Sequence, residues 1–400
     1  MPNKSITGKP VRVLRLLSRM NVGGPSLHVL HLTTGMKEYG FDTRLAVGRP
    51  QAIEGSMIPK DFDNTNPLVI IPGLDRPINP IKDFIAFKGI ISQILDFKPH
   101  IVHTHTAKAG ILGRLAAIMC RVPVIVHTFH GHVFEGYFSP KLSQNIIALE
   151  RFLARLTDLV ITLSPNLRSD LINKLRLSRV RKVRVIPLGL DLEKFLNNPR
   201  KTNNWRRSIG IPDNAPLLGM VARLVPVKNH LGLLEAFRRM SNQNPDLYLA
   251  IVGGGEFEPQ IREFIAKYDL TGKVKMCGIV REIEDVYSDL DLLVLASHNE
   301  GTPVVLIEAL AAGCPVAATQ VGGVREVLED GKLGTFIRIK TDEMVSDLQT
   351  LVRSLPFIQP HDEQIRLKIQ QRFSVSGLLK SLADGYWEFL GKRFPNGINR

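Results

Sequence analysis

The sequence predicts an α/β protein with two domains, each built around a parallel β-sheet. Short apolar runs alternate with segments of helical period along the whole chain. These runs are almost continuously apolar, which is typical of strands buried on both faces of a parallel sheet. The 400 residues also exceed the roughly 250–300 at which a single core stops growing.

The first series of elements lies before residue 192. A strand is predicted over Val11–Leu17, followed by a loop that ends in Gly23-Gly24 and a helix that begins at Pro25, because proline is favoured in the first turn. Further strands are predicted over Thr43–Val47, Leu68–Ile71, His100–His103, Val122–Val126, Leu159–Leu163 and Val183–Ile186, with helices over Ile81–Leu95, Ala107–Met119 and Leu142–Leu156 between them.

A polar connection over residues 192–215 separates this series from a second one. Strands are predicted there over Leu217–Val221, Leu247–Val252, Val274–Cys277, Leu292–Leu295 and Val316–Ala318. Parallel α/β sheets bind ligands beyond the carboxyl ends of their strands, so we expect the chemistry in the loops at those ends.

The net charge of +14 lies entirely in the first half of the chain. Residues 1–200 contain 28 Lys and Arg against 14 Asp and Glu, whereas residues 201–400 contain 24 of each kind. The densest basic run is Arg168–Arg184. Such an asymmetry favours an anionic partner, such as a phospholipid surface or a lipid diphosphate, as much as it favours a merely solvated surface.

Three scattered cysteines and the absence of a long apolar segment indicate a reducing compartment without a membrane span. We therefore expect a cytoplasmic protein that contacts a membrane only peripherally, at its inner face. No nucleic-acid-binding module is recognisable, so nucleic acid is not an expected partner.

The segment Asn299–Glu308 is the most informative motif. It follows the strand Leu292–Leu295 and leads into a helix, for which Thr302 is the predicted N-cap and Pro303 the predicted first residue. The free amides of Thr302–Val305 form an anion site at the helix start. Glu300 lies just outside this start and Glu308 about a turn and a half along it, so the two can hold groups on either side of a phosphate. On geometry alone, two surface glutamates that flank an ordinary capped helix remain the alternative.

Arg223 and Lys228 form a second motif after the strand Leu217–Val221. We place Arg223 at the end of that strand and Lys228 near the start of the next helix. Two cations at a strand-to-helix turn suit a diphosphate, although this segment taken alone would favour a pair of solvated basic residues.

Two further motifs give weaker evidence for a particular function. Gly253 and Gly255 fit the start of a dinucleotide-binding fingerprint, but Glu258 stands where its third glycine should be, which counts against a dehydrogenase. Five histidines lie close together in sequence, without a carboxylate–histidine metal signature: His103, His105, His127, His130 and His132. We expect one or two of them to donate to a ligand, the others to be structural, and none to bind a metal.

Taken together, Gly23-Gly24, Arg223, Lys228, Val252–Gly255, Glu300, Glu308 and Val321–Gly323 resemble the family 4 retaining glycosyltransferases. The resemblance runs from about residue 11 to about residue 390. The phrases His103–Gly110 and His127–His132 are similar to a bacterial subgroup that builds surface polysaccharides or lipid-linked glycans.

This resemblance implies the GT-B fold, with two Rossmann-like domains that face a central cleft. The expected domains are residues 1–195, which would bind the acceptor, and residues 196–377, which would bind the nucleotide sugar. The last helix, within residues 378–400, would cross back onto the first domain.

The resemblance also implies roles for single residues. Arg223 and Lys228 would bind the donor diphosphate and Glu308 the ribose, while Glu300 and the backbone of Gly301, Thr302, Pro303 and Val304 would hold the transferred sugar. Gly23 and Gly24 would close on the phosphates, His130 would lie near the sugar, and Ile279 would meet the base. The implied catalytic residues are Glu300, His130, Lys228 and Arg223.

The implied reaction is transfer of a hexose or N-acetylhexosamine from a nucleoside-diphosphate sugar, with uridine as the expected base, to a glycan or lipid-linked acceptor. The resemblance implies no cofactor and no metal. Two alternatives remain at this point: a nucleotide-sugar epimerase or hydrolase of the same fold, and a non-enzymatic protein that binds polyanions through its basic half.

Overall fold

The computed structural model describes residues 10–21, 23–49, 57, 68–75, 79–131, 140–176, 182–355, 363–395 and 397. They belong to two compact units, of which the first comprises Met1–Leu190 and Phe373–Arg400 and the second Asp191–Arg372. The units therefore divide at residues 190/191 and 372/373, about five residues before each boundary drawn from the sequence. His132 and residues 177–181 of the basic run lie outside the described residues.

The first unit contains a seven-stranded parallel sheet. Its strands are β1 (Val11–Leu17), β2 (Phe41–Val47), β3 (Leu68–Ile70), β4 (Ile101–His105), β5 (Val124–Phe129), β6 (Leu159–Thr162) and β7 (Val183–Val185). Their order is β3-β2-β1-β4-β5-β6-β7, so β1 pairs with both β2 and β4. The direction of winding reverses between β1 and β4, and their carboxyl ends are where an open α/β sheet binds ligands.

In the described part of the chain before residue 190, five α-helices accompany this sheet in chain order: α1 (Gly24–Gly35), α2 (Pro80–Phe97), α3 (Ala107–Met119), α4 (Pro140–Leu156) and α5 (Pro165–Ser169). Several begin where the sequence supplies a cap and a following proline. The Asn79 side chain accepts hydrogen bonds from the amides of Ile81 and Lys82 at the start of α2, and Ser164 caps α5 in the same way.

The second unit contains a six-stranded parallel sheet in the order β10-β9-β8-β11-β12-β13. The strands are β8 (Leu217–Val221), β9 (Tyr248–Val252), β10 (Val274–Gly278), β11 (Leu292–Leu295), β12 (Val316–Thr319) and β13 (Thr335–Ile337). The last strand has only three residues and was not predicted from the sequence. Because β8 pairs with both β9 and β11, this sheet also has its switch point at its first strand.

Most helices of the second unit follow these strands. In chain order they are α6 (Glu193–Asn197), α7 (Asn204–Ser208), α8 (His230–Ser241), α9 (Glu258–Lys267), α10 (Ile283–Asp289), α11 (Val304–Ala311), α12 (Val324–Val327) and α13 (Thr341–Ser354). The segment expected to be an irregular connection, residues 192–215, therefore contains two short helices.

The chain ends in α14 (Glu363–Phe373) and α15 (Val375–Arg393). The apolar face of α15 is buried in the core of the first unit, where Leu382 and Tyr386 pack with Val11 and Leu32. This confirms that the last helix returns to the N-terminal domain. Among the described residues, none of these helices combines the length and the hydropathy that a bilayer span requires.

Candidate functional site

Two loops at the carboxyl edge of the second sheet form the centre of the candidate site. One loop follows β8 and the other follows β11, and because these strands are neighbours and parallel, the loops leave the sheet side by side. The His298 amide donates to the Val227 carbonyl at 2.8 Å and joins the two loops directly. The motifs that contain Lys228 and Glu300 are thus brought together by sheet topology.

Lys228 and Glu300 form an ion pair where the loops meet. The Lys228 ammonium donates to Glu300 Oε1 at 2.6 Å, and the Ser297 hydroxyl donates to the same oxygen, also at 2.6 Å. The Glu300 side chain is only 8% exposed and that of Lys228 19%. An ammonium group has three donors, so Lys228 retains two N–H groups for other acceptors.

Arg223 lies in the same loop but is exposed, and the structure corrects its predicted position. β8 ends at Val221, so Arg223 is the second residue after the strand and does not end it. The Arg223 N–H groups form no hydrogen bond or ion pair with any described residue. A free guanidinium next to the Lys228 loop suits a bidentate anion.

Turns that contain glycine pack closely against the backbone of both loops. A Cβ on Gly253 would lie 1.9 Å from the Ala222 carbonyl oxygen, and one on Gly322 would lie 1.8 Å from that of Glu300. Both glycines also have positive φ angles, 138° and 50°, which side-chain-bearing residues rarely adopt. The run Val252–Gly255 is therefore explained by close backbone packing beneath the Arg223 loop, which agrees with the sequence argument against a dinucleotide fingerprint.

The helix start at residue 304 differs from the prediction. Pro303 occupies the N-cap position with ψ of 94°, which is not helical, and Val304 is the first helical residue. Thr302 is therefore not the N-cap, and no side chain caps the helix. The Leu306 amide donates to the Pro303 carbonyl at 3.1 Å. Val304 and Val305 precede this first bond of the helix, so their amides are the open donors for an anion.

Glu308 lies on α11 as the fifth residue of the helix, and its carboxylate accepts a hydrogen bond from the Tyr287 hydroxyl at 2.9 Å. Desolvation raises the pKa of Glu308 to about 7, against the lowering effect of the Tyr287 hydrogen bond. Tyr287 is buried on α10 and was missed in the sequence analysis. No local signal marks it, because the contact joins residues 21 positions apart on different helices.

Ile279 lies at the same edge of the sheet, immediately after β10. Its side chain is 83% exposed, which is unusual for a large aliphatic residue. A Cβ on Gly254 would lie 3.3 Å from it, so Ile279 borders the glycine turn that supports the Arg223 loop. An exposed aliphatic side chain at this edge suits a flat apolar group such as a base.

The predicted site residues of the first unit lie at the carboxyl ends of its strands. Gly23 precedes α1 and Gly24 is its first residue, with Pro25 in the first turn. His130 follows β5, and its Nε2 is 3.0 Å from Nδ1 of His105 at the end of β4. His103 and His105 point to the same face of β4, as predicted, with ring centroids 4.1 Å apart.

His28 on α1 completes a cluster of buried imidazole rings and was also missed in the sequence analysis. Its ring packs edge-on against those of His105 and His130, with centroid distances of 5.7 and 5.1 Å. His103 is instead held at both nitrogens, by the Tyr386 hydroxyl at 2.6 Å and by Thr128 at 2.8 Å. His127 contacts Thr104 at 2.8 Å and is structural.

Burial keeps these histidines neutral. Desolvation, reinforced by neighbouring cationic groups such as Arg15, lowers the pKa of His28, His103 and His105 well below the usual value. Desolvation also lowers the pKa of His130 to about 4. At neutral pH the cluster therefore offers uncharged donors and acceptors, unlike the charged groups of the second unit.

Comparison with known families supports a common assignment for both units. The profile described as "Glycosyltransferase Family 4" matches residues 22–194, and the one described as "Glycosyl transferases group 1" matches residues 201–365.

Similar sequences carry related names. The chain is 32% identical to UDP-Gal:alpha-D-GlcNAc-diphosphoundecaprenol alpha-1,3-galactosyltransferase of Escherichia coli, over 73% of this chain and 76% of the relative. It is 27% identical to the capsular polysaccharide biosynthesis glycosyltransferase CapM of Staphylococcus aureus, over 77% and 82% of the two chains. Among solved structures, Anabaena HepE in complex with UDP superposes with a TM-score of 0.77 at 19% identity, covering 95% of this chain and 100% of that one.

Proposed function

This chain belongs to the family 4 glycosyltransferases and has their GT-B fold, and from that premise we propose that it transfers a hexose or N-acetylhexosamine from a UDP-sugar. The acceptor would be a lipid-linked or other anionic glycan, and the configuration at the anomeric carbon would be retained. One observation supports the proposal above all others. Lys228 and the uncapped start of α11 meet at Glu300, so positive charge and open amides converge beside a carboxylate.

The donor diphosphate would bind to Lys228, Arg223 and the first amides of α11. Negative charge grows on this diphosphate as the bond to the sugar breaks, so groups already aimed at it stabilise the transition state more than the ground state. Lys228 supplies a point charge in a half-buried position and Arg223 an unpaired planar fork. These cations supply the charge that a metal ion would otherwise provide, so the proposed transfer requires no metal.

The remaining donor groups would be held on either side of the diphosphate. Glu308 would accept hydrogen bonds from the ribose hydroxyls, oriented by Tyr287. Glu300, with the backbone of Gly301–Val304, would hold the transferred sugar, and Ile279 would pack against the base. Gly23, Gly24 and His130 remain predicted donor contacts on the family resemblance.

In the proposed retaining reaction, the bond between the anomeric carbon and the diphosphate oxygen breaks while the acceptor hydroxyl attacks the same face. The acceptor proton moves to the departing diphosphate, so the chain needs no separate base. Its contribution is to position the two substrates and to stabilise the diphosphate charge.

Two relatives support the choice of donor and acceptor. HepE binds UDP, and the Escherichia coli relative is named for a UDP-galactose donor and a diphosphoundecaprenol-linked acceptor. A lipid diphosphate is also the kind of anion that the basic N-terminal half favours.

We also propose that the first unit contacts an anionic membrane from the cytoplasmic side. The exposed face of α2 carries Ile81, Phe84 and Ile85, which are 75%, 58% and 47% exposed. Lys88 lies over the Phe84 ring at 4.7 Å. Apolar side chains next to lysines on one helix face are typical of binding at a lipid interface.

The proposal is tested by measuring donor binding and transfer in turn. Calorimetric titration of the full chain with UDP, GDP and a panel of their sugars should give saturable binding to at least one UDP-sugar. Incubation of that donor with glycan-diphosphate lipids should then give a product whose anomeric proton coupling matches the donor's. A folded chain that binds no sugar nucleotide would contradict the proposal, and an epimer formed without acceptor would favour the epimerase alternative.

A further inference from the structure

We propose that Ser297 is a positioning residue for Glu300: it holds one carboxylate oxygen, so that the other is left for a hydroxyl group of the transferred sugar. This inference rests on the proposed function, because Glu300 is the residue that would hold that sugar. Ser297 lies two residues after β11 and is completely buried. It therefore cannot touch the donor itself and acts only through Glu300.

The two carboxylate oxygens of Glu300 have different surroundings. The Lys228 ammonium and the Ser297 hydroxyl both donate to Oε1, each at 2.6 Å. A carboxylate has about four lone-pair sites on its two oxygens, so these two donors saturate Oε1. Among the residues that the structure describes, no donor bonds Oε2. Nor is Oε2 one of the buried polar atoms that lack a partner, so it is open to solvent and to a ligand.

The chemistry of Oε2 selects the group that it binds. An ionised carboxylate oxygen can only accept hydrogen bonds, and the oxygens of a diphosphate are negatively charged acceptors as well. Oε2 therefore repels the diphosphate and takes an O–H or N–H donor. In a nucleotide sugar, the hydroxyl-bearing ring that adjoins the diphosphate on the side away from the nucleoside is the transferred sugar. The two N–H groups that Lys228 retains suit the diphosphate.

Ser297 is itself fixed by the neighbouring strand and loop. The hydroxyl of Thr319, the buried last residue of β12, donates to the Ser297 carbonyl at 2.6 Å. The amide of the next residue, His298, donates to the Val227 carbonyl at 2.8 Å. The Ser297 hydroxyl is therefore anchored to the edge of the sheet, and a rigid element holds a site more precisely than a free loop does.

Lys228 alone would not fix the orientation of the carboxylate. Its ammonium is a point charge on a flexible stem, and the last torsion of a glutamate side chain has a broad, roughly two-fold preference. Without the Ser297 hydroxyl, the Glu300 carboxylate could turn both of its oxygens towards Lys228, and Oε2 would leave the sugar. Loss of Ser297 should therefore impair recognition of the sugar and spare binding of the diphosphate.

The test compares three kinds of ligand by calorimetric titration of the full chain. They are UDP, the UDP-sugar that the chain binds, and versions of that donor in which one ring hydroxyl at a time is replaced by hydrogen. In wild-type protein, loss of the hydroxyl bound by Oε2 should weaken binding about tenfold or more, because a hydrogen bond to a charged group is lost.

Ser297→Ala is the test variant. Its affinity for the complete UDP-sugar should fall about tenfold, again for loss of a hydrogen bond to a charged group. Its affinities for UDP and for the deoxy donor identified with wild type should stay within about twofold of the wild-type values, because neither ligand makes the Oε2 contact. Ser241→Ala is the matched control. It removes a half-buried hydroxyl that donates to the Arg238 carbonyl on α8, and it should change none of the three affinities.

Three results would overturn the inference: an equal loss of all three affinities in Ser297→Ala, no loss in any of them, or wild-type protein that binds every deoxy donor as tightly as the complete one. Circular dichroism would show whether Ser297→Ala folds. Should it not fold, Thr319→Val decides, because loss of its hydrogen bond to Ser297 must give the same sugar-selective loss. Wild-type protein that binds no UDP-sugar would instead contradict the proposed function, and the inference with it.

Discussion

The two units place different chemistry at the same position of similar sheets. In the second unit, the loops at the switch point bring charges of opposite sign together, as in the Lys228–Glu300 pair. In the first unit, the corresponding edge holds uncharged imidazoles that contact one another, such as His105 and His130. Charged groups can bind and release a charged donor, whereas neutral buried rings bind groups that need lone pairs or N–H donors. The fold therefore determines where on the sheet a ligand binds, and the loop residues determine which ligand it is.

The largest expected effect comes from removing the cation of the second unit. Lys228→Ala should lower turnover by about 10²–10³-fold or more, because the diphosphate charge loses a donor held in a half-buried position. Steady-state transfer assays would measure it. Lys267→Ala removes an exposed lysine on α9 and should retain normal turnover, so comparable losses in both variants would contradict a specific role for Lys228.

Glu308 tests whether UDP binding by the second unit depends on a negative charge that protonation can remove. Because the pKa of Glu308 is raised to about 7, Glu308 is protonated in the free chain below that pH. Since the ribose contact needs the carboxylate, the affinity for UDP should fall by up to about tenfold for each pH unit below about 7. Calorimetry between pH 5.5 and 8.5 would show this. The Tyr287 hydrogen bond lowers this pKa, so Tyr287→Phe should move the midpoint upward.

Glu308→Gln is the matched control for this pH dependence. Its UDP affinity should be about 10–100-fold weaker than wild type above pH 8, since a hydrogen bond to a charged group is lost, and should no longer vary across the pH range. An unchanged affinity in Glu308→Gln would contradict the ribose role.

The glycine turns test whether the charged loops depend on backbone packing. Gly322→Ala would place a Cβ 1.8 Å from the Glu300 carbonyl oxygen at a φ of 50°, so we expect a loss of about 1–3 kcal/mol in unfolding free energy and weaker UDP binding. Gly272→Ala, where a Cβ meets nothing within 4 Å, is the control in chemical denaturation. Equal stability of the two variants would show that the Glu300 loop does not need this glycine.

The smallest expected effect concerns the surface of the first unit. Phe84→Asp on α2 should weaken binding to vesicles that contain anionic lipid by about tenfold, since it replaces an apolar contact with a like charge. Phe152→Asp, on α4 and similarly exposed, makes the same chemical change away from that face. Cosedimentation that is reduced equally by both variants would contradict a specific role for α2.

The sequence analysis named more of the residues that meet in the candidate site of the second unit than in that of the first. Lys228, Glu300 and Glu308 stand in loops or helix starts whose chemistry can be read from neighbouring residues, and the strand before each loop is strongly apolar. The predicted N-cap at Thr302 was wrong because Pro303 itself has a non-helical ψ angle, so the helix begins one residue later than residue preference indicated. Tyr287 and His28 were missed because their partners lie on other elements.

The amino-acid sequence by itself determined the alternation of strands and helices, the division into two units and the loops that carry charge. These depend on hydrophobic period and on turn residues, which act between near neighbours. Only the tertiary structure decided that Lys228 neutralises Glu300, that Tyr287 supports Glu308 and that His28 joins His105 and His130. Such contacts are set by strand order and by the packing of helices on the sheet, and residues distant in sequence meet only when those are in place.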